Sequence, residues 1–367
     1  MHPAWIEIDL KQFKSNLLLL KKALPYVRIC LPVKANAYGH GLCAMAKAAT
    51  EVGVEYLAVA HLSEAIKLRQ ASINTPILVL GAIHEEQIAD LLSYELEFSI
   101  SSSFKAMMVA KKCQLLKKRC RVHLEVDTGM RRTGMRPETA AKLFSTLKND
   151  PYFDVVGIYS HLASGAHAND PIACSQIKAF KTLVSSPPFS ELSLLCHLAN
   201  SSGTLNFPEA YFDMVRPALI AFGYVPEEVP QQFRALSPCF SLKARVSYFK
   251  VVEKGEGVSY GHSYIAPKRS RIVTIPVGYG DGFRRELSNR GFVLMRGQRF
   301  PIVGAICMDQ FMVDVGEHSV YVGDEVVLIG RQGDQEITVK EIASLCNTIP
   351  YEILCLFNER IPRIYSN

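Results

Sequence analysis

The chain has 367 residues, of which 49% are hydrophobic and 21% are charged, and its formal net charge is +6. A chain of this length can bury a large core and is expected to form two domains. Its apolar runs are too short to span a bilayer, and its basic cluster at residues 117–119 is too short to indicate nucleic-acid binding. We therefore expect a globular protein that binds neither membranes nor nucleic acid.

Ten cysteines are scattered along the chain, and no two of them have Cys-x-x-Cys spacing. This distribution favours reduced thiols over a disulfide framework or a zinc site. The first residues also lack the basic and apolar segments of a secretory signal. We therefore expect a cytoplasmic protein that has no metal site.

Short apolar or β-branched runs alternate with helical patterns between residues 28 and 220. The predicted strands span residues 28–33, 55–60, 77–81, 95–100, 121–126, 155–160, 192–197 and 211–215. The predicted helices span residues 41–51, 63–70, 84–92, 102–113, 137–148 and 171–184. This alternation predicts a parallel (β/α)8 TIM-type barrel at residues 10–224. A doubly wound open sheet is the alternative, but it usually has fewer strands, and no Gly-x-Gly-x-x-Gly follows the first strand.

The pattern changes after the proline-rich, acidic segment at residues 225–230. Short alternating runs between glycine-rich turns then predict a mostly β C-terminal domain at residues 235–367, with one helix near 339–346. The opening run also alternates, so a strand at residues 4–9 could join this domain. The sequence therefore predicts an α/β barrel that is followed by a β-rich domain.

Lys34 directly follows the first predicted strand and opens the run Lys-Ala-Asn-Ala-Tyr-Gly-His-Gly. Desolvation at the end of a buried strand lowers the pKa of a lysine amine and makes it nucleophilic. Such a lysine can form a Schiff base with a carbonyl compound, and pyridoxal phosphate is the obvious candidate. The alternative is a surface lysine that opens a loop.

Polar residues follow several other predicted strands, where a (β/α)8 barrel has its active site. They are Arg132, His161, His197, Ser201 and Arg216. Ser201 opens a short helical stretch and could donate to a phosphate. Arg216 could face the pyridine nitrogen and, because arginine does not readily give up its proton, would leave that nitrogen unprotonated. The cofactor would then withdraw electrons weakly, which favours exchange of one α-proton over transamination.

Racemisation needs a proton carrier on each face of a planar carbanion. Lys34 can serve one face, and Tyr260, in a Val-Ser-Tyr-Gly motif of the second domain, can serve the other. A phenol needs a nearby cation to act as a base near neutral pH. His161 and Arg216 would supply that charge if the tyrosine lies over the barrel mouth. The alternative for Tyr260 is an aromatic residue of a strand or turn.

These residues together resemble the alanine racemase family, over essentially the whole chain. The shared motifs lie at residues 33–41, 126–134, 159–161, 197–201, 215–217, 258–261, 276–282 and 307–310. The resemblance implies an isomerase that uses pyridoxal 5'-phosphate to interconvert L-alanine and D-alanine and that supplies D-alanine for peptidoglycan. It implies Lys34 as the base for the D-enantiomer and Tyr260 as the base for the L-enantiomer. It also implies a homodimer in which Tyr260 and Met308 complete the partner's site.

The resemblance also implies contacts to the cofactor and substrate. Arg216 matches the partner of the pyridine nitrogen, with His161 and His197 in its network. Arg132 and the Met308 amide match contacts to the substrate carboxylate. The residues that match phosphate contacts are Tyr38, Ser201, Ala218 and Leu219.

Three positions depart from the family pattern. Glu125 stands where many members have a lysine, often carbamylated, and it shares a strand face with Asp127. We hypothesise that Glu125 supplies the negative charge that orients Arg132. Ala218 replaces a common glycine, and Glu359 stands where some members have a phosphate-contacting tyrosine, so we leave Glu359 outside the site.

Other functions are compatible with parts of this pattern. Pyridoxal phosphate decarboxylases of basic amino acids also combine a barrel with a β domain, but they place a carboxylate on the pyridine nitrogen, where this chain has Arg216. A broader amino-acid racemase stays open, because the sequence does not reveal pocket volume. A non-catalytic protein that binds pyridoxal phosphate in a single barrel would not need a second domain with Tyr260 and Met308.

Overall fold

The computed structural model describes residues 3–367 and separates into two compact units. The barrel unit comprises Gln12–Ala37 and Leu42–Pro238. The β unit comprises the described residues up to Lys11 together with Tyr38–Gly41 and Cys239–Asn367. Within the described residues, no helix combines the length and the apolar character needed to cross a membrane.

Eight parallel strands form a closed barrel in the barrel unit, as the sequence predicts. Because both faces of a parallel sheet are covered, its strands are short and mostly apolar. The first strand pairs with the eighth, with Arg28 opposite Met214 and Ile29 opposite Val215. In chain order, the strands are Arg28–Pro32, Tyr56–Val59, Ile77–Val79, Glu97–Ile100, Cys120–Glu125, Phe153–Tyr159, Leu195–His197 and Met214–Val215.

Helices alternate with these strands, and local sequence signals set where several of them begin. Proline occupies the first turn of the helices that begin at Pro137 and Pro171, a position where its missing N–H has no helical partner to lose. The Asp170 carboxylate accepts hydrogen bonds from the second and third residues of the latter helix. The helices are Leu10–Ala23, Leu42–Glu51, Leu62–Gln70, Ile88–Ser93, Ser103–Leu116, Pro137–Leu147, Pro171–Val184 and Ser201–Asn206.

The eighth strand is shorter than the predicted span of 211–215. A 3-10 turn occupies Pro208–Ala210, and Phe212 has a φ of +48°, which extended backbone does not allow. Only Met214–Val215 therefore pairs into the barrel. The last barrel strand therefore ends immediately before Arg216.

A ten-stranded sheet dominates the β unit. Ala4–Asp9 pairs antiparallel with Phe240–Arg245 and parallel with Arg363–Ser366. Buried and exposed positions alternate along the first two of these strands, as in a sheet with one face on the core. The strand order is Tyr248–Val252, Ser270–Ile275, Phe311–Gly316, Gln298–Val303, Phe292–Met295, Glu325–Gln332, Phe240–Arg245, Ala4–Asp9 and Arg363–Ser366, with Gln335–Ile337 paired to Glu325–Gln332.

The rest of the β unit consists of a small hairpin and two short helices. The hairpin pairs Gly257–Val258 with Tyr264–Ile265, and Tyr260 lies in its loop. The helices are Val339–Leu345 and Pro350–Leu356. The sequence analysis predicted only the first helix, and the second begins at a proline, which suits a first helical position.

Asn16 is 1% exposed and joins the helix Leu10–Ala23 to two later segments of the barrel unit. Its side-chain nitrogen donates to the carbonyls of Ser237 at 2.8 Å and Ala221 at 3.3 Å, and its oxygen accepts from the Ser237 N–H at 3.1 Å. We expect Asn16→Ala to lower the free energy of unfolding by about 2–3 kcal/mol, because buried backbone groups lose their partners. Ser15→Ala, on the exposed face of the same helix, should change it by less than ~0.5 kcal/mol. Urea unfolding measures both, and equal effects would contradict this role.

Candidate active site

Lys34 lies directly after the first barrel strand and is followed by a left-handed turn. The residues Ala35, Asn36, Ala37 and Tyr38 have φ angles between +51° and +56°. A left-handed conformation costs a non-glycine residue roughly 1–2 kcal/mol, so such a turn persists only where its surroundings hold it. The position of Lys34 at a strand end agrees with the sequence pattern, whereas the strained turn was not predicted.

Side chains of the barrel unit hold this turn. The Asn36 side-chain oxygen accepts from the Leu42 N–H at 2.7 Å, and the Ala35 N–H donates to Oε1 of Glu64 at 2.7 Å. The other carboxylate oxygen of Glu64 accepts from the two backbone N–H groups that precede the helix Leu62–Gln70. Glu64 therefore links the backbone next to Lys34 to the start of a helix, a role that the sequence analysis missed.

Arg216 is buried just after the eighth strand and is surrounded by acceptors. Its Nη1 lies 2.6 Å from Nδ1 of His197. Its Nη2 donates to the carbonyls of Ser160 at 2.6 Å and Leu198 at 3.1 Å, and lies 3.4 Å from Nδ1 of His161. Burial lowers the pKa of Arg216, but a guanidinium starts so far above neutral pH that it stays charged.

A row of hydrogen bonds continues from Arg216 through the barrel interior. Nε2 of His197 lies 2.9 Å from Nδ1 of His123, and Nε2 of His123 lies 2.9 Å from Oε2 of Glu97. The other oxygen of Glu97 accepts from Nε of Arg121 at 2.9 Å. Burial acts to raise the pKa of Glu97, but the hydrogen bonds from His123 and Arg121 outweigh it and lower that pKa. Burial and the charge of Arg216 hold the pKa of His197 well below its usual range.

The two imidazoles of this row fit closely among their neighbours. A Cβ at position 157 would lie 2.4 Å from Nδ1 of His123, so only glycine leaves room for that ring. Tyr159 stacks on His197 with ring centroids 4.9 Å apart, and its hydroxyl lies 2.6 Å from Oγ of Ser99. The two imidazoles are therefore held by packing against Tyr159 and Gly157 as well as by hydrogen bonds.

Three positively charged side chains that follow barrel strands act on the pKa of His161. Its pKa is lowered to about 3 by burial and by the positive charges of Arg216, Arg132 and Lys34. An imidazole with this pKa is neutral at pH 7 and adds no further charge. The expectation that His161 supplies positive charge to Tyr260 is therefore wrong, because burial and three nearby cations disfavour its protonation. The predicted residues at the ends of the first, fifth, sixth and eighth strands therefore lie within electrostatic range of one another.

Ser201 begins a short helix beside the segment that follows Arg216. Its Oγ accepts a hydrogen bond from the Ala218 N–H at 2.8 Å, so the hydroxyl proton is left to donate elsewhere. Asn200 caps the helix by accepting from the Gly203 N–H at 3.0 Å. Ser201, Ala218 and Leu219 are all buried, and all three belong to the barrel unit. The Ala218 N–H therefore already has a protein acceptor in Ser201.

Glu125 is buried at the end of the fifth strand. Its carboxylate accepts from Oγ1 of Thr133 at 2.5 Å. Burial raises the pKa of Glu125, while the hydrogen bond from Thr133 and the charges of Arg132 and Arg216 act to lower it. Both arginines are therefore within electrostatic range of this carboxyl group.

The remaining predicted site residues belong to the β unit. Tyr260 is 74% exposed and Met308 is 54% exposed, and both line one cavity of about 980 Å³. Positive φ angles at Ser259 and His262 on either side of Tyr260 hold it in a tight turn. Tyr38 is buried, with its ring in an edge contact with Tyr351.

The site residues that the sequence analysis missed are Glu64, Glu97 and His123. Glu97 and His123 stand within barrel strands, where both faces of the sheet are covered, and a titratable residue there is seldom buried without a partner. That signal could have identified both. Nothing in the sequence around Glu64 distinguishes it from an ordinary helix-capping glutamate.

Comparisons with known proteins agree with this geometry. The family described as "Alanine racemase, N-terminal domain" matches residues 8–226, and "Alanine racemase, C-terminal domain" matches residues 239–365. An alanine racemase of Symbiobacterium thermophilum is 39% identical over 100% of this chain and 98% of its own length. One of Carboxydothermus hydrogenoformans is 40% identical over the full length of both chains.

Solved structures show the same similarity. An alanine racemase of Clostridium difficile 630 superposes with a TM-score of 0.94 at 34% identity, covering 100% of this chain and 96% of that one. An alanine racemase of Streptomyces lavendulae superposes with a TM-score of 0.93 at 32% identity, covering 100% of this chain and 97% of that one. Matches of this extent, over both units, show that the chain belongs to the alanine racemase family of isomerases.

Proposed function

We propose that this protein interconverts L- and D-alanine with pyridoxal 5'-phosphate bound at the mouth of its barrel. The observation that carries the proposal is the cationic rim, where the charges of Lys34, Arg132 and Arg216 all act on His161. Such a rim suits a ligand pair that carries a phosphate, a phenolate and a carboxylate. Membership of the alanine racemase family supports alanine as the substrate.

The donors of the barrel unit also suit this cofactor. Within the described residues, Nε of Arg216 has no protein partner, which leaves one N–H for the pyridine nitrogen. The Ser201 hydroxyl retains a proton for a phosphate oxygen. We assign the phosphate to Tyr38, Ser201, Ala218 and Leu219, and we assign His161 and His197 to the network that holds Arg216.

The chemistry then follows from the positions of proton carriers. When bound, pyridoxal phosphate withdraws electrons from the substrate α-carbon and makes its hydrogen acidic. Lys34 would hold the cofactor through Nζ, and its amine would carry a proton on one face of that carbon. Tyr260 carries the proton on the opposite face. Arg132 and the Met308 N–H bind the substrate carboxylate and fix which faces the two carriers meet.

Arg216 limits what else can happen at the site. A guanidinium donates to the pyridine nitrogen without giving up its proton. Electron withdrawal is therefore weaker than it would be beside a carboxylic acid, and the reaction is confined to exchange of the α-proton. This limit argues against the decarboxylase alternative, which needs a stronger electron sink.

We propose that the active enzyme is a head-to-tail homodimer. Tyr260 and Met308 are large, mostly exposed side chains that line one cavity of the β unit, and such patches commonly mark interfaces. A two-fold axis would bring each β unit to the other chain's barrel and complete two equivalent sites. In this arrangement each site takes Lys34 from one chain and Tyr260 from the other.

We also propose the bounds of the two domains and the cellular role of the enzyme. Residues 10–224 form the cofactor-binding barrel, and residues 235–367, with the strand at 4–9, form the β-rich domain that supplies Tyr260. All ten cysteines are free thiols, which suits the reducing cytoplasm. D-alanine made there would supply peptidoglycan synthesis.

Substitution of Tyr260 tests the two carriers and the substrate together. We expect wild-type enzyme to turn over alanine faster than serine or lysine. Tyr260→Phe should lose racemisation in both directions by about 100-fold or more, the scale of a lost acid or base. In deuterated water it should still exchange the α-proton of D-alanine, because Lys34 serves that face, but no longer that of L-alanine. Mass spectrometry of both enantiomers measures this.

Tyr26→Phe is the matched control, because that tyrosine is 96% exposed and lies outside the site. If Tyr260→Phe is impaired no more than Tyr26→Phe, the two-carrier mechanism is wrong. If serine or lysine turns over faster than alanine, the enzyme is the broader racemase instead.

Glu125 should make alanine binding depend on pH. Because its pKa is raised, it takes up a proton at a higher pH than an exposed glutamate and so loses its charge earlier as pH falls. If that charge orients Arg132, the KM for alanine should rise as pH falls through this pKa. Glu125→Gln should show a KM raised by about tenfold, the worth of a charged hydrogen bond, without the pH dependence. Steady-state kinetics across this range measures both.

Glu138→Gln is the control for Glu125, because it removes an exposed carboxylate from the same part of the barrel. Should Glu125→Gln leave the KM for alanine and inhibition by carboxylates at the level of Glu138→Gln, Glu125 does not orient Arg132.

A further inference from the structure

The hydrogen-bonded row inside the barrel runs from one end of the strands to the other. Glu97 is the first residue of the fourth strand, His123 is central in the fifth, and His197 is the last residue of the seventh. Arg216 follows the eighth strand. Glu97, His123, His197 and Arg216 are all buried, whereas Arg121, beyond Glu97, has a side chain that is 55% exposed. We call the four buried residues the barrel relay.

The position of every proton in the barrel relay follows from its two ends. Arginine has only N–H donors, so Nδ1 of His197 must be the acceptor for Nη1 of Arg216. Nε2 of His197 then carries the proton and donates to Nδ1 of His123. Nε2 of His123 in turn carries a proton and donates to the Glu97 carboxylate, which can only accept. Every hydrogen bond of the relay therefore has its donor on the Arg216 side and its acceptor on the Glu97 side.

We propose that Glu97 is a positioning residue that holds Arg216 in place from the far end of the barrel. By accepting from His123, the Glu97 carboxylate keeps both imidazoles protonated at Nε2, so that Nδ1 of His123 accepts from His197 and Nδ1 of His197 accepts from Arg216. The effect on catalysis rests on the proposed function, because it acts where Arg216 meets the cofactor. The proton positions depend on this chain alone.

The relay matters because His197 is the acceptor found for Nη1 of Arg216 among residues 3–367. Backbone carbonyls of Ser160 and Leu198 fix Nη2, whereas His197 is the acceptor for Nη1. Hydrogen bonds that follow one another in a buried row polarise one another. A carboxylate at Glu97 therefore makes Nδ1 of His123 a stronger acceptor, and through it Nδ1 of His197 as well. Without the Glu97 carboxylate, the Nε2 proton of His123 would face no acceptor in the barrel interior. The hydrogen bond from Nη1 of Arg216 to His197 would then weaken.

Two substitutions of Glu97 separate its role as an acceptor from its bulk. Glu97→Leu removes the acceptor and keeps an apolar side chain of similar size. Glu97→Gln offers one amide oxygen, which can accept from His123, because the half-exposed Arg121 can be solvated at small cost. Asp154→Asn is the matched control, because Asp154 is the other carboxylate that contacts Arg121, at 3.3 Å, and lies outside the relay.

The holoenzymes of all four proteins would be compared by three measurements. Nitrogen-15 NMR of labelled histidines reports which ring nitrogen carries the proton. The visible absorption spectrum of the bound cofactor reports its ring environment. Steady-state kinetics separates kcat from KM for alanine.

We expect wild-type His123 and His197 both to be protonated at Nε2 and not at Nδ1. Glu97→Leu should lose the hydrogen-bonded Nε2 proton signal of His123, shift the cofactor absorption, and lower kcat by about tenfold or more, as loss of an outer-shell partner does. Its KM should change little, because the substrate carboxylate is bound elsewhere. Glu97→Gln should recover most of the lost kcat and the wild-type spectrum, and Asp154→Asn should match wild type throughout.

Three results would overturn the proposal. The first is a wild-type His197 that is protonated at Nδ1, which is readable even if Glu97→Leu does not fold. The second is Glu97→Leu with wild-type kcat and absorption. The third is Glu97→Gln impaired as much as Glu97→Leu, since the acceptor oxygen would then not be what matters. If wild type neither binds pyridoxal phosphate nor racemises alanine, the proposed function fails, while the histidine NMR still tests the relay.

Discussion

The guanidinium of Arg216 is buried at the end of the eighth barrel strand, and burial of an unpaired charge costs several kcal/mol. The chain meets this constraint with two backbone carbonyls and with His197. His197 can accept only in one tautomer, which requires His123 and Glu97 behind it. One buried cation at the mouth thus determines the direction of the hydrogen bonds through the barrel interior, as far as Glu97 at the opposite end of the strands.

The same constraint shapes the chemistry at the mouth. A cation that keeps its proton favours an unprotonated ring nitrogen on any cofactor bound there. Burial, together with the charges of Arg216, Arg132 and Lys34, lowers the pKa of His161 and keeps it neutral, and the three cations form a rim suited to anionic ligands. The strained turn after Lys34, held by Glu64, fixes the backbone next to that lysine. Groups held in this way need not reorganise during reaction, which is a main source of enzymatic rate enhancement.

Much of the fold follows from local sequence, because buried parallel strands are short apolar runs that alternate with amphipathic helices. Strands such as Ile77–Val79 stand out for this reason. The eighth strand was predicted too long, because Phe212 has a positive φ, which is rare for an aromatic residue and which no local sequence pattern indicates. The left-handed turn after Lys34 was missed for a related reason, since only its Asn36 is of a type enriched at positive φ.

The candidate site was only partly predictable. Arg216, His161 and His197 were predicted because barrel chemistry concentrates at the carboxyl ends of strands. Glu97 and His123 were missed because neither lies at such an end, although a buried titratable residue in a strand signals a partner, and which partner each has appears only in the folded chain. Glu125 and Arg132 were matched through family resemblance, and their electrostatic proximity emerges only from the folded chain.

The central claim is that each site combines Lys34 of one chain with Tyr260 of the other, and mixed dimers test it most directly. Lys34→Ala and Tyr260→Phe subunits, each inactive alone, would be unfolded together and refolded with pyridoxal phosphate. If sites are shared, each heterodimer has one intact site, and random pairing restores about one quarter of wild-type activity. If each chain uses its own Lys34 and Tyr260, every site carries a lesion and no activity returns, which would contradict the account.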